Sequence, residues 1–291
     1  MIKILNIFRF IYNSLNSLIE ACSKLDNNTF SNMSIFNNKK RKHDSLYLNE
    51  DQYSKPKEYF KKALSILNEK CHLDLNAESN LLDIGCASGD FLRYLDNSIE
   101  NNENIKFYGS DVMRELLDES KKRFPKGCFN FCDLSLDEFT IENSFKIDFD
   151  LITMLSVHMI FDDLFWLNNI VNSLKKNGQA LIWGLFNPYP YDLVMRVKKS
   201  SEDSYQPGWN LHSKQTIQDY CKKLSVGCEF IDFQPDIEIK RNINDGLRAW
   251  SIDLPDLKKD YVPEIYESNQ KRIFTNATRI IHDRSFCLIT K

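Results

Sequence analysis

Short apolar runs alternate with amphipathic stretches along most of the chain. Leu81–Ile84, Ile105–Ser110, Cys128–Cys132, Phe149–Leu155, Gln179–Leu185, Glu229–Phe233 and Ser285–Thr290 read as strands. Helical spacing predicts helices over Phe91–Leu95, Arg114–Arg123, Phe161–Leu174 and Ser213–Leu224. Tyr59, Phe60, Ala63, Leu64 and Leu67 mark a further amphipathic helix within Pro56–Lys70, leading into the first strand. Alternation of this kind predicts an α/β fold, a seven-stranded and mostly parallel sheet with helices on both faces. Ligands in such sheets bind beyond the carboxyl ends of the strands.

The flanks depart from the alternation. Ile4, Phe8, Ile11, Leu15 and Leu18 share one helix face near the start, which can pack on the domain, on a partner subunit or on a membrane surface. Lys3 and Arg9 are too few cations to favour the membrane. A loop rich in Asn and Ser follows, then the basic run Lys39 to His43, read as a solvated face. Residues 1–55 are thus expected to form a helical extension and loop, and residues 56–291 the main domain. Two irregular stretches, about 187–212 and 241–278, are expected to form a lid or binding walls.

Composition narrows the function classes. A net charge of −3 gives no general field for nucleic acid, so none is expected as a partner. No apolar run of 18 residues and no cleavage-site pattern is present, which predicts a cytoplasmic protein. The eight cysteines form no C-x-x-C pair, so neither a disulfide framework nor a metal site is expected.

Only nine glycines occur in the chain, yet Gly85 and Gly89 fall together where the first strand turns into a helix. Such a turn brings backbone N–H groups and the positive end of a helix dipole to one sheet edge. The run Asp83-x-Gly85-x-Ala87-x-Gly89 does not fit the dinucleotide spacing G-x-G-x-x-G. Asp83, two residues before the first glycine, would repel phosphate and attract a cationic ligand, or else cap backbone groups.

These residues resemble the first motif of the class I S-adenosylmethionine-dependent methyltransferases, whose fold is Rossmann-like. The resemblance continues through Tyr108-Gly109-Ser110-Asp111, Phe131-Cys132-Asp133-Leu134, Phe149 to His158, and Lys176 to Leu181. It implies S-adenosyl-L-methionine as cofactor, with Asp111 on the ribose hydroxyls and Asp133 meeting the adenine amino group. The cofactor set it implies is Asp83, Gly85, Cys86, Ala87, Gly89, Asp111, Val112, Asp133, Leu134 and Leu155. The alternative for Asp111 and Asp133 is an ordinary strand-end turn acid.

In-line methyl transfer needs alignment, and an oxygen nucleophile would gain from a general base. His158 and His212 are the candidates, although His158 can instead shape the pocket. Tyr189, Tyr191 and Trp209 are candidates to stack on an acceptor ring. Arg248 to Ile252, Arg272 to Asn276 and the last strand resemble bacterial methyltransferases of surface-polysaccharide pathways. The leading acceptor is therefore a small molecule or glycan, with O- and N-transfer both open. Methylation of protein, lipid or RNA, and a non-catalytic cofactor-binding subunit, are the alternatives. A homodimer is open to either reading.

Overall fold

The computed structural model describes residues 47–49, 52–71, 73–74, 76–136, 140–198, 200–201, 203, 205–207, 209–233, 265–268, 271–274 and 283–291. The predicted N-terminal helix face, the loop after it, the basic run and Arg248 to Ile252 lie outside the described residues.

In chain order the elements are α1 (Glu58–Lys70), β1 (Ser79–Ile84), α2 (Asp90–Ser98), β2 (Ile105–Asp111), α3 (Arg114–Arg123) and β3 (Cys128–Phe131). Then follow α4 (Ile141–Phe145), β4 (Phe149–Leu155), a 3-10 turn (His158–Ile160), α5 (Phe165–Ser173) and β5 (Leu174–Phe186). The remainder comprises β6 (Arg196–Val197), β7 (Gln206–Pro207), α6 (Lys214–Lys223), β8 (Gly227–Asp232), β9 (Ile265–Ser268), β10 (Lys271–Phe274) and β11 (Asp283–Thr290).

Seven strands form one sheet in the order β3-β2-β1-β4-β5-β11-β8. The pairs from β3 through β5 are parallel, and β11 runs antiparallel between β5 and β8. All seven predicted strands are therefore present. β1 is buried at every position, as a strand covered on both faces requires. Its side chains alternate between two cores. Leu81, Leu151 and Leu181 pack with Phe60, Leu92 and Phe107 on the face covered by α1 and α2. Leu82, Ile152 and Ile182 pack with Trp166, Ile170 and Ile217 on the face covered by α5 and α6.

Two boundaries differ most from the sequence reading. The helix expected from Phe161 starts at Phe165, because the carbonyl of Phe161 is taken by Asn210 Nδ2 at 2.9 Å and lies 3.1 Å from His212 Nε2. β5 begins at Leu174 and not at Gln179. The turn residue Asn177, at φ +66°, donates its N–H to the Lys291 carbonyl and carries the strand round.

The stretches read as irregular contain short antiparallel pairs, β6 with β7 and β9 with β10. Among the described residues no helix is long and apolar enough to cross a membrane.

Candidate functional site

The sheet opens into a cleft at the carboxyl ends of β1, β2 and β4, the edge where ligands of such sheets bind. The turn after β1 forms its floor. Gly85 has φ +72° and Gly89, capping α2, has φ +80°, the left-handed region that glycine adopts without a Cβ penalty. A Cβ on Gly85 would stand 2.3 Å from Val157 Cγ2. The N–H groups of Gly85 and Cys86 both donate to the Ser110 carbonyl, which fastens the turn to the end of β2.

Asp111 follows Ser110 and faces the turn. Its Oδ2 accepts from the Ala87 N–H at 3.0 Å and its Oδ1 from the Met113 N–H at 2.9 Å. A carboxylate has about four acceptor sites, more than these two N–H groups use. This bond also holds Ala87 at φ +48°, a conformation that alanine seldom takes.

Asp83 lies in the register of β1 opposite Gly109 and Thr153, and is buried. Its Oδ1 accepts from Thr153 Oγ1 at 2.7 Å, a side-chain bond across to β4. Burial pushes its pKa up to about 7, against the pull of Thr153 and with a further push from Asp111.

In the outer wall, local sequence patterns marked Tyr59 and Phe60 but not Tyr47 and Gln52. Tyr47, Gln52, Tyr59 and Phe60 line the cleft, and Tyr59 stacks on Trp183 of β5 at 4.0 Å between centroids. The predicted boundary at residue 55 is thus crossed by contacts. The helix α1 was expected within Pro56–Lys70, and its first turn supplies two of these residues.

Beyond the turn, Leu155, Ser156, Val157, Ile160, Phe161 and Trp209 form the other wall. Ser156 has φ +67° and donates its N–H to the Trp183 carbonyl at 2.7 Å. Asn210 is fully buried. It donates its N–H to the Met159 carbonyl, and its Nδ2 to Phe161 O and Asp162 Oδ1, which seats the neighbouring Trp209 at the mouth.

Of the cofactor residues expected from the sequence, Asp83, Gly85, Cys86, Ala87, Asp111, Val112, Leu134 and Leu155 line the cleft. Gly89 and Asp133 do not. Gly89 shapes the turn. Asp133 is buried, and its Oδ1 accepts from the N–H and hydroxyl of Ser135, which is the strand-end turn reading.

The histidines are corrected by the structure. His158 is fully buried, stacked on Phe186 at 4.5 Å, with Nε2 3.3 Å from the Leu185 carbonyl. Burial drives its pKa down to about 3. The positive φ of Ser156 and the 3-10 turn rotate it under the sheet, against Gly184. His212 is also buried, with its pKa lowered by burial. Neither lines the cleft, so neither is placed as a general base. Tyr189 and Tyr191 also stand outside it, Tyr191 being 46% exposed, and Trp209 alone of the three expected aromatics lines it.

Among the described residues no group of His, Cys, Asp and Glu is arranged to hold a metal ion. The arrangement fits a cationic nucleoside instead. The glycine turn permits close approach, and Asp83 and Asp111 place acidic groups along the floor.

This sheet order, with a glycine turn after β1 and an acid ending β2, defines the class I methyltransferase fold. Residues 82–180 match the family model described as a methyltransferase domain. A malonyl-acyl-carrier-protein O-methyltransferase of Acetivibrio thermocellus is 23% identical over 193 residues, 64% of this chain and 64% of that protein. The chain therefore spans less than two thirds of that relative's length.

Two solved structures are similar at low identity. One is an S-adenosylmethionine-dependent methyltransferase from Clostridium acetobutylicum, 13% identical with TM-score 0.48, the match covering 86% of this chain and 99% of that one. The other is CalS10, an amino pentose methyltransferase from Micromonospora echinaspora, 10% identical with TM-score 0.48, covering 87% and 98%. From the domain match together with its fold and turn, residues 82–180 carry a methyltransferase domain of the S-adenosylmethionine-dependent kind.

Proposed function

We propose that this chain transfers a methyl group from S-adenosylmethionine to an amine on a small, ring-bearing acceptor, an amino sugar being the leading class. One observation carries the reading. A single cleft joins the glycine turn and Asp111 to a wall built from Phe161 and Trp209. In this reading Asp111 holds the ribose, Leu134 and Val112 flank the base, and Asp83 faces the positive end of the cofactor. Trp209 offers an aromatic face to the acceptor ring.

When bound, S-adenosylmethionine supplies an electrophilic methyl carbon on a sulfonium. The residues of the chain contribute alignment and electrostatics. The ionisable side chains described along the cleft are Asp83, Asp90 and Asp111, the phenols of Tyr47 and Tyr59, and the thiols of Cys86 and Cys132. Methylation of a neutral amine moves positive charge from sulfur to nitrogen, so it stays within the field of these carboxylates. The Ser156 hydroxyl, at the end of β4, can accept a hydrogen bond from such an amine and orient its lone pair. An amine that reaches the cleft neutral needs no imidazole there. A carboxylate acceptor would meet like charge instead.

The test is transfer of labelled methyl from S-adenosylmethionine to three matched panels: amino sugars, sugars bearing only hydroxyls, and small carboxylic acids. Label in the amino sugars supports the reading. Label confined to carboxylic acids, to hydroxyl-only sugars, or to protein, lipid or RNA overturns it.

A further inference from the structure

The cofactor cleft is walled on one side by Tyr47 and Gln52, which precede the domain's first helix. That wall is held by charge. Asp90, the first residue of α2, is buried. Its Oδ2 accepts the Gln52 N–H at 2.9 Å, and its Oδ1 lies 3.3 Å from Arg93 Nη1 and 3.6 Å from Arg123 Nη1. Arg123, at the end of α3, also spreads its fork over Leu48, Ser88 and Glu119. Nη2 donates to the Leu48 carbonyl at 2.7 Å, Nη1 to Ser88 Oγ at 3.3 Å, and Nε to Glu119 Oε1 at 2.9 Å. Arg93 in turn lies over the Tyr53 ring at 4.1 Å.

One guanidinium therefore ties the glycine turn, at Ser88, to the segment that closes the cleft over it, at Leu48. We propose that Arg123 is a positioning residue for the cofactor. Directly at Leu48 and through Asp90 at Gln52, and itself braced by Glu119, it seats the Tyr47–Leu48 and Gln52–Tyr53 segments as the outer wall, and so sets how long the cofactor stays bound. The proposal rests on the cofactor assignment, but its physical content is the attachment of that wall. A lysine cannot replace the residue, because a single ammonium cannot reach the Leu48 carbonyl, Ser88 and Glu119 with a fixed planar fork.

Two measurements test it on the full chain. The first is stopped-flow dissociation of S-adenosylhomocysteine from wild type, Arg123→Gln, Arg123→Lys and the milder surface change Glu119→Gln. Loss of charge-assisted bonds in the wall should speed dissociation about tenfold in both Arg123 variants. Glu119→Gln should change it in the same direction and less. Association rates should move little, since wall loss acts after encounter.

The second is hydrogen exchange of the Gln52 amide without cofactor, which should quicken in the Arg123 variants while core amides of β1 and β4 keep their protection. That readout separates the two readings, because absence of cofactor binding by wild type would defeat the cofactor assignment and leave exchange to decide the wall. Unchanged Gln52 exchange overturns the proposal. So does unchanged dissociation in variants that bind the ligand. If the Arg123 variants fail to fold, Glu119→Gln decides by the same criteria.

Discussion

The Ala87 N–H points at Asp111 Oδ2 from 3.0 Å, so one carboxylate both shapes the glycine turn and faces the cleft that the turn borders. Structure and binding meet in the same side chain. Asp111→Ala should therefore remove two backbone caps, at Ala87 and Met113, as well as the acceptor proposed for the ribose. A cost of about 1–3 kcal/mol in stability is expected, with cofactor affinity falling about a hundredfold or more. Asp111→Asn keeps one acceptor oxygen and should fall between. Urea denaturation and calorimetry with S-adenosylhomocysteine separate the two effects. Equal affinity in wild type and Asp111→Ala would remove Asp111 from the site.

Gly85→Ala tests the floor. The new methyl would meet Val157 Cγ2 and would hold alanine at φ +72°. A loss of about 2–4 kcal/mol is expected, part steric and part conformational. Adding Val157→Ala should return the steric part and leave about 1 kcal/mol of backbone cost. A double variant no better than Gly85→Ala would show that Val157 is not the obstacle.

Asp83 and His158 should tilt the pH dependence of stability in opposite directions. Asp83 is raised from 3.8 to about 7, so the native state keeps a proton that the unfolded chain has released. Its contribution is full below about pH 4 and is lost as pH rises through 7. His158 is lowered from 6.5 to about 3, so its contribution is full above pH 6.5 and is lost as pH falls through 3. Over the shared window the two slopes offset each other. Against wild type, Asp83→Asn should gain stability as pH rises from 4.5 to 7.5, and His158→Phe should lose it, each by roughly 2–4 kcal/mol. Urea midpoints across that range measure both. Difference curves of the same sign would refute the pairing.

Because Asp83 titrates near neutrality in the cleft, charge recognition should follow it. Affinity for S-adenosylmethionine should tighten from pH 6 to pH 8 more than affinity for S-adenosylhomocysteine, which lacks the sulfonium charge. Asp83→Asn should erase that difference. Parallel pH curves for the two ligands in wild type would remove Asp83 from contact with the charge.

Trp209→Ala should raise the KM for the acceptor about tenfold, with cofactor affinity nearly unchanged, whereas Tyr191→Ala should leave both as they are. The contrast follows from Trp209 lining the cleft and Tyr191 standing outside it. Steady-state kinetics on an accepted amino sugar would decide, and matched KM values in the two variants would exclude Trp209.

The strands were legible because a parallel strand covered on both faces needs apolar residues at nearly every position, as Leu81, Leu82, Leu151 and Ile152 supply. The turn was legible because glycines are scarce elsewhere and these two adopt positive φ. The histidines were misread for a geometric reason. Periodicity locates His158 just past β4, but the left-handed Ser156 decides which way the chain then turns. Asp133 shows the same limit, since a short Ser135 two residues on is enough to engage it. The wall at Leu48 and Gln52 had no local signal at all. Its contacts join residues 75 and 38 positions apart, and only the folded sheet brings them together.

The place of β11 bears on how the sheet is assembled. β8 pairs with β11, and β11 is also the neighbour of β5, so β8 is made before the strand that attaches it. During synthesis the parallel half from β3 to β5 can form first, with the edge of β5 and the whole of β8 left waiting. The glycine turn belongs to that early half. The nascent chain can therefore shape its cofactor turn before its sheet is closed, and during that interval the bare edge of β5 is its most exposed route to mispairing.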